Sequence, residues 1–253
     1  MRFTTIADTD IGIAKQTNQD SVLIKHANTD DGEVVMAIVC DGMGGLAKGE
    51  LASATVVRKF SDWFDTQLPY ELGEKDIREI SAEWVFMLKQ IADEMLEYGN
   101  RIGNKLGTTF SGILFIKEEY VIVHIGDSRV YKIDVDIKQL TTDHTFVARE
   151  IAKGTMTLEE AKKDKRRNML LQCIGASKNI NPEVLFGDIT SGVYMVCSDG
   201  FRHKVTPEEI QTSLYPTRLL NKTIMHEKSR YLIEEVKRRN EKDNISVVVI
   251  KVD

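Results

Sequence analysis

Residues 34–45 have the sequence Val34-Val35-Met36-Ala37-Ile38-Val39-Cys40-Asp41-Gly42-Met43-Gly44-Gly45. The first seven residues are apolar and rich in β-branched side chains, which predicts a buried strand. The strand carries the carboxylate of Asp41 to its end, and three of the next four residues are glycines, which let backbone approach a ligand closely. We therefore interpret Asp41 as a ligand of a hard divalent cation held by oxygen atoms.

The composition of the 253-residue chain is that of an ordinary globular protein, with 42% hydrophobic and 29% charged residues. Its net charge of −5 argues against a nucleic-acid partner, because nucleic-acid-binding domains are usually basic. The N terminus has no apolar leader and no apolar run reaches the length of a membrane span, so we expect a cytoplasmic protein without a membrane partner. Cys40, Cys173 and Cys197 lack the spacing of a zinc site, which indicates reduced core thiols.

Hydrophobic periodicity divides the chain into strands and helices without a linker or repeat, which predicts one domain over residues 1–253. A polar turn at 28–32 makes strands 20–27 and 33–40 a hairpin, so Asp20 and Asp41 should be neighbours. Amphipathic patterns predict helices at 46–68, 76–99 and 217–239, and β-favouring runs predict strands at 109–116, 120–125, 130–133, 193–197 and 245–252.

Residues 145–180 have the least regular pattern and contain a run of basic side chains at Lys162, Lys163, Lys165, Arg166 and Arg167. Such a run usually forms a solvated helix face. The alternative interpretation is a mobile segment that borders the functional site.

Aspartates lie at or beside the ends of separate predicted strands, at Asp20, Asp41, Asp127, Asp199 and Asp243. A single Asp-Gly pair is a common turn, but acids at five strand ends would converge if the strands pack together. Converging carboxylates repel one another unless cations or protons neutralise them. Because no histidines or cysteines are clustered, the set favours magnesium, manganese or calcium over zinc or copper. Two such ions about 4 Å apart activate water for attack on phosphorus.

Further motifs accompany these acids in the order Gly12-x2-Lys15-x2-Asn18-Gln19-Asp20, Asp41-Gly42-Met43-Gly44-Gly45, Gly107-Thr108-Thr109, Gly126-Asp127-Ser128-Arg129, Leu140-Thr141-x-Asp143-His144, Ser198-Asp199-Gly200 and Asp243-Asn244-Ile245-Ser246. Together they resemble the bacterial branch of the protein phosphatase 2C family, the metal-dependent serine/threonine phosphatases. The resemblance implies an α+β fold, a four-layer α-β-β-α sandwich of two antiparallel sheets flanked by helices. It also implies a site at one edge for two Mn²⁺ or Mg²⁺ ions.

The resemblance implies a role for each acid. Asp41 would bridge the two ions, and Gly42 would lend its carbonyl oxygen to one of them. Asp199 and Asp243 would hold one ion, whereas Asp20 would act on the other, partly through water. Finally, Asp127 matches the position that helps to bind a third, weaker ion in bacterial members, although it could instead brace the sheet through an Asp–Arg pair.

Two positions depart from the family pattern as the resemblance implies it. Lys15 aligns with the arginine that usually grips phosphate, and lysine keeps the charge but loses the bidentate fork. Met43 stands where many eukaryotic members have a histidine, and methionine has no proton to donate. Residues 145–175 match the flap, which borders the site and influences substrate choice. We interpret His144 as a structural hydrogen-bonding residue outside the site.

The resemblance implies a monomeric enzyme that hydrolyses phosphoserine and phosphothreonine in proteins phosphorylated by a serine/threonine kinase. A metal-bridged hydroxide would attack phosphorus directly, with Asp41 and Lys15 as the catalytic residues. One alternative is a non-catalytic phosphopeptide-binding regulator with the same fold, which Lys15 alone supports. Another is a metal-dependent phosphatase that acts on a small phosphorylated metabolite.

Overall fold

The computed structural model of the chain describes residues 1–43 and 48–253. Gly44, Gly45 and the first two residues of the helix predicted from residue 46 lie outside the described residues. In the described part, two antiparallel sheets lie between outer helices, which confirms the predicted α+β sandwich.

Ten strands of the described chain form two sheets of five strands each. The first sheet contains, in spatial order, β1 (Phe3–Asp10), β10 (Ile245–Val252), β9 (Gly192–Cys197), β6 (Arg129–Ile133) and β7 (Ile137–Gln139). The second sheet contains β2 (Ser21–Thr29), β3 (Gly32–Cys40), β4 (Phe110–Ile116), β5 (Glu119–Ile125) and β8 (Glu183–Asp188). All pairings between neighbouring strands are antiparallel.

Helices cover the outer face of each sheet. The second sheet is covered by α1 (Gly49–Thr66), α2 (Leu68–Glu71) and α3 (Ile77–Ile102). The first sheet is covered by α6 (Asp199–Arg202), α7 (Pro207–Leu214) and α8 (Lys222–Arg238). The predicted flap contains two short helices, α4 (Phe146–Ala152) and α5 (Leu158–Lys163).

The apolar run of β3 is continuous because both of its faces are buried. Met36 and Ile38 pack in the core beneath the helices, whereas Ala37 and Val39 belong to the core between the two sheets. A strand with two buried faces lacks the alternation of polar and apolar residues that a half-exposed strand has. Asp41 therefore follows a strand that is held in place from both sides.

The structure contains three strands that the sequence pattern does not predict, β1, β7 and β8, and one helix begins later than predicted. β1 combines polar and apolar residues, and its pairing with β10 completes the first sheet. β8 is a partly exposed edge strand paired with β5. The helix predicted for 217–239 begins at Lys222, because the side chain of Asn221 accepts the N–H of Ile224 and caps it there.

Two expectations from the composition can be compared with the fold. The three cysteines are buried and free, as predicted for core thiols. Among the described residues, no helix has both the length and the apolar character that crossing a membrane requires.

Candidate metal centre

Strand register brings Asp20 and Asp41 together at one edge of the second sheet. In the β2–β3 hairpin, Ser21 pairs with Cys40. Asp20 directly precedes Ser21 and Asp41 directly follows Cys40, so the two acids lie opposite each other at the end of the hairpin. The predicted proximity of these two residues is confirmed.

The first sheet brings the other three acids to the same edge. Its central strand β9 ends with Cys197, which lies opposite Arg129 on β6 and Val247 on β10. Asp127 and Asp243 lie in the loops just before β6 and β10, and Asp199 is the first residue of α6, just after β9.

Close backbone packing fixes Asp41 and Gly42. The N–H of Asp41 donates to Oγ1 of Thr109 at 2.9 Å, and the N–H of Gly42 donates to the carbonyl of Gln19 at 3.1 Å. A Cβ atom on Gly42 would lie 2.4 Å from the Gln19 oxygen and 2.6 Å from the Gly49 oxygen. Only glycine therefore fits at this position, where the turn after β3 packs closely against the segment before β2.

Asn244 ties the segment before β2 to the loop that carries Asp243. Its Oδ1 accepts the N–H of Gln19 at 2.9 Å, and its Nδ2 donates to the carbonyls of Ile11 at 3.0 Å and Thr17 at 3.2 Å. The side chain is almost fully buried. Asn244 belongs to one of the sequence motifs, and in the structure it holds two acid-bearing segments together.

The five acids act on one another electrostatically, and we call them the aspartate cluster. Desolvation and the carboxylates of Asp199 and Asp243 raise the pKa of Asp20 to about 7. Desolvation and the Asp199 carboxylate likewise raise the pKa of Asp127 to about 7. Desolvation and the other four carboxylates raise the pKa of Asp41 well above its usual range. Negative charge is therefore concentrated in the cluster beyond what the protein alone compensates.

Two buried carboxylate oxygens of the cluster, Oδ2 of Asp20 and Oδ1 of Asp199, have no hydrogen-bond partner within the described chain. A buried anionic oxygen without a partner is costly, and a divalent cation would satisfy both the oxygen and the charge. The donor set consists of oxygen atoms, which suits magnesium or manganese. These residues therefore fit the ions that sequence analysis predicts.

Lys15 lies at the cluster, where its Nζ contacts Oδ1 of Asp243 at 2.9 Å. Partial burial opposes its charge, but the hydrogen bond to Asp243 outweighs that effect and raises the pKa of Lys15. The carboxylates of Asp41 and Asp199 act in the same direction. The lysine predicted to contact phosphate is therefore positioned, in this structure, by one of the predicted metal ligands.

Asp127 is not the partner of the arginine in its own motif. Arg129 instead forms a bidentate pair with Asp143, with Nε–Oδ1 and Nη2–Oδ2 distances of 2.7 Å each. Arg202 donates to the backbone carbonyl of Asp127 at 2.9 Å and lies 3.6 Å from Asp143. The alternative of an Asp127–Arg129 brace is wrong, and the Asp127 carboxylate belongs to the aspartate cluster instead.

Two residues that the sequence does not single out, His203 and Glu241, connect two acids of the cluster. The ring of His203 lies 3.5 Å from Oδ2 of Asp199 and 3.6 Å from Oε2 of Glu241. Oε1 of Glu241 also accepts the backbone N–H groups of Lys242 at 2.8 Å and Asp243 at 3.1 Å. Only the i,i+4 spacing of Asp199 and His203 signals this link in the sequence.

His144 is a structural hydrogen-bonding residue, as predicted. Its Nδ1 accepts the N–H of Gly126 at 3.2 Å and lies 2.9 Å from the amide nitrogen of Gln172. Nearby ligand atoms of His124, His144 and Glu183 lie within 4.8 Å of one another, which is compatible with a metal ion. Both ring nitrogens of His124 are already hydrogen-bonded, one to Ser111 and one to the carbonyl of Thr142. The aspartate cluster is therefore the better candidate.

The raised pKa of Asp127 predicts a pH-dependent effect on the stability of the metal-free protein. Between the unfolded pKa of 3.8 and the folded pKa of about 7, only the folded state keeps this proton, so stability falls as pH rises through that window. We expect Asp127→Asn to raise the melting temperature in EDTA at pH 8 and to change it little at pH 5. Differential scanning fluorimetry of both proteins measures this difference. An equal shift at both pH values would contradict the prediction.

Comparison with known proteins gives an independent result. The family model described as "Protein phosphatase 2C" matches residues 13–228. The chain is 30% identical over 244 residues to "Serine/threonine phosphatase stp" of Listeria innocua, which covers 90% of this chain and 91% of the relative.

Solved structures agree with this match. The serine/threonine phosphatase of S. agalactiae has a TM-score of 0.86 at 26% identity and covers all of both chains. The catalytic domain of the phosphatase PstP, solved in complex with two manganese ions, has a TM-score of 0.79 at 27% identity and covers 99% of each chain.

Proposed function

Because this chain belongs to the protein phosphatase 2C family, we propose that it removes phosphate from phosphoserine and phosphothreonine in proteins at the aspartate cluster. The observation that carries the proposal is the convergence of five acids from separate strand ends, with the pKa raised at Asp20, Asp41 and Asp127 and with two unpartnered buried oxygens within the described chain. The relatives are named serine/threonine phosphatases, which supports the same substrate class.

We propose that the cluster holds two Mn²⁺ or Mg²⁺ ions, and a third more weakly. Asp41 and the carbonyl of Gly42 would contact the pair, Asp199 and Asp243 would hold one ion, and Asp20 would hold the other. Asp127 would contribute to the third site. When bound, the ions neutralise the phosphoryl group and activate water for in-line attack on phosphorus.

The chain's own residues orient the substrate and supply fixed charge. Lys15 presents a positive charge at the mouth of the cluster, where it would stabilise charge on the phosphoryl oxygens. Its ammonium group offers a point charge without the planar fork of arginine, so it restricts the angle of the phosphate less. Met43 has no acidic proton, so the serine or threonine oxygen that leaves takes its proton from water.

We propose that residues 1–253 form one phosphatase domain. Because all five acids of the site come from a single chain, we also propose that the protein acts as a monomer on targets of a serine/threonine kinase. The regulator and the metabolite phosphatase, which sequence analysis leaves open, gain no support from any contact in the described residues.

Phosphate release from a phosphothreonine peptide tests the proposal. We expect hydrolysis of the peptide at about 1 mM, the upper end of typical substrate KM values, when Mn²⁺ is present. We expect none after EDTA, with activity restored by added Mn²⁺. A sugar phosphate at the same concentration should be hydrolysed far more slowly. Absence of hydrolysis in Mn²⁺, or a preference for the sugar phosphate, would refute the assignment.

A further inference from the structure

A groove of about 680 Å³ extends from the aspartate cluster to the flap helices. Asp127 and His203 line its inner end, and residues of α4 and α5 line its outer part. Its volume is within the range of about 300–1,000 Å³ that is typical of ligand pockets. We call it the flap groove.

The flap side of this groove has an apolar wall. Val147 and Ile151 of α4 and Leu158 of α5 line it, and α4 has no fully buried residue. Leu158 is 67% exposed. Val147 and Ile151 are partly exposed. Single accessible apolar side chains are common, but three that line one groove beside the aspartate cluster form a surface that an apolar partner would cover.

The outer end of the groove is basic. Lys162 and Arg167 both line it and both are exposed. Lys162 contacts Glu159 at 2.7 Å, but both side chains are about 70% exposed, so this pair contributes little energy and can exchange for another carboxylate. Arg166, by comparison, is engaged by Asp164 and lies over the ring of Phe146. The positive charge of Lys162 and Arg167 is therefore available to a ligand.

The inner arginines do not compete for that ligand. Arg129 and Arg202, which also line the groove, are directed to Asp143 and to the carbonyl of Asp127. The groove thus combines one acid of the aspartate cluster, an apolar wall and exposed basic side chains. A polypeptide with an apolar and an acidic residue near its phosphorylated residue carries the complementary groups.

We propose that the flap groove binds the polypeptide flanking the phosphorylated residue, with an apolar side chain on the Val147–Ile151–Leu158 wall and an acidic side chain at Lys162 and Arg167. This proposal rests on the proposed function and specifies its substrates as acidic phosphoproteins. The basic run singled out in the sequence is then part of substrate recognition, where the sequence alone favours a solvated helix face.

The charge preference is tested with two kinds of phosphothreonine peptide, one carrying leucine and glutamates and the other carrying leucine and lysines. In each kind, these residues are placed first on the N-terminal side of the phosphothreonine and then on its C-terminal side. We expect kcat/KM to be about tenfold higher for the best glutamate peptide than for its lysine counterpart. The double variant Lys162→Glu/Arg167→Glu should abolish or invert this ratio. Lys163→Glu, on the same helix but outside the groove lining, is the matched control and should preserve it.

The apolar wall is tested separately with Leu158→Ser. We expect KM for the leucine-containing peptide to rise, and the melting temperature to stay unchanged because Leu158 is exposed. Leu220→Ser, which replaces another exposed leucine away from the groove, is the control. An unchanged KM in Leu158→Ser would overturn the role of the wall.

Turnover of p-nitrophenyl phosphate distinguishes a failure of the groove proposal from a failure of the proposed function, because this small substrate does not extend along the groove. If p-nitrophenyl phosphate is turned over and the glutamate and lysine peptides have the same kcat/KM, the groove proposal alone is overturned. An equal loss of the ratio in Lys163→Glu would overturn it as well. If no substrate were turned over in Mn²⁺, the proposed function would fail, and the groove proposal with it.

Discussion

Asp41→Asn should lower Mn²⁺-dependent turnover about a hundred- to a thousandfold while making the metal-free protein more stable. Turnover falls because the amide removes the carboxylate that we propose to bridge both ions. Stability rises because desolvation and four neighbouring carboxylates already disfavour the Asp41 anion, as its strongly raised pKa indicates. A residue that only supported the fold would show the opposite change in stability.

The measurement combines p-nitrophenyl phosphate turnover with melting temperature in EDTA and in Mn²⁺. The unaltered protein should melt at a higher temperature in Mn²⁺ than in EDTA, and Asp41→Asn should lose most of that gain. Asp93→Asn is the matched control, because it makes the same chemical change at an exposed position on α3. Full turnover by a folded Asp41→Asn protein would refute the role of Asp41.

Gly200→Ala should destabilise the protein by about 3 kcal/mol, which corresponds to roughly 10 °C in melting temperature for a chain of this size. A Cβ atom at this position would lie 2.1 Å from the carbonyl oxygen of Asn244 and 3.3 Å from Cβ of Asp243. The backbones would have to separate, and Asp199 would move away from Asp243. The same variant should therefore bind Mn²⁺ more weakly.

Chemical denaturation gives the loss of stability, and calorimetric titration with Mn²⁺ gives the loss of affinity. Gly154→Ala serves as the control, because nothing lies within 4 Å of its Cβ position and only its positive φ opposes the change. That variant should lose only about 1 kcal/mol and keep its Mn²⁺ affinity. Similar losses for the two variants would show that the contact with Asn244 is unimportant.

Much of the site could be predicted because strand ends are visible in the sequence. The turn at 28–32 sets the register of a hairpin, and that register alone places Asp20 opposite Asp41. A strand buried on both faces is a continuous apolar run, so β3 and β9 and the acids that follow them are easily located. The layer architecture comes from the family resemblance, since periodicity does not specify which strands pair.

Contacts between segments distant in sequence could not be predicted in the same way. Arg129 pairs with Asp143 although Asp127 is closer in the chain, and Lys15 pairs with Asp243 from the opposite end of the chain. The edge strand β8 is half exposed, so its pattern resembles that of a loop. These features depend on how loops pack against one another, which residue type and spacing do not encode.

The flap shows most clearly that a local sequence pattern has to be interpreted together with the residues that surround it in the fold. The basic run predicts a solvated face, and most of its side chains are indeed exposed. The family resemblance implies that this segment borders the site, but the apolar wall beside the basic side chains is visible only in the fold. The sequence therefore leaves two interpretations open, a solvated face and a segment at the site, and the groove lining favours the second.

The most direct test of the account is an anomalous-scattering map from crystals soaked in Mn²⁺. We predict two strong peaks about 4 Å apart, a separation typical of two-metal sites, in contact with Asp41 and flanked by Asp20, Asp199 and Asp243. Peaks confined to another place, such as the His124–His144–Glu183 group, with none at the aspartate cluster, would contradict the central claim.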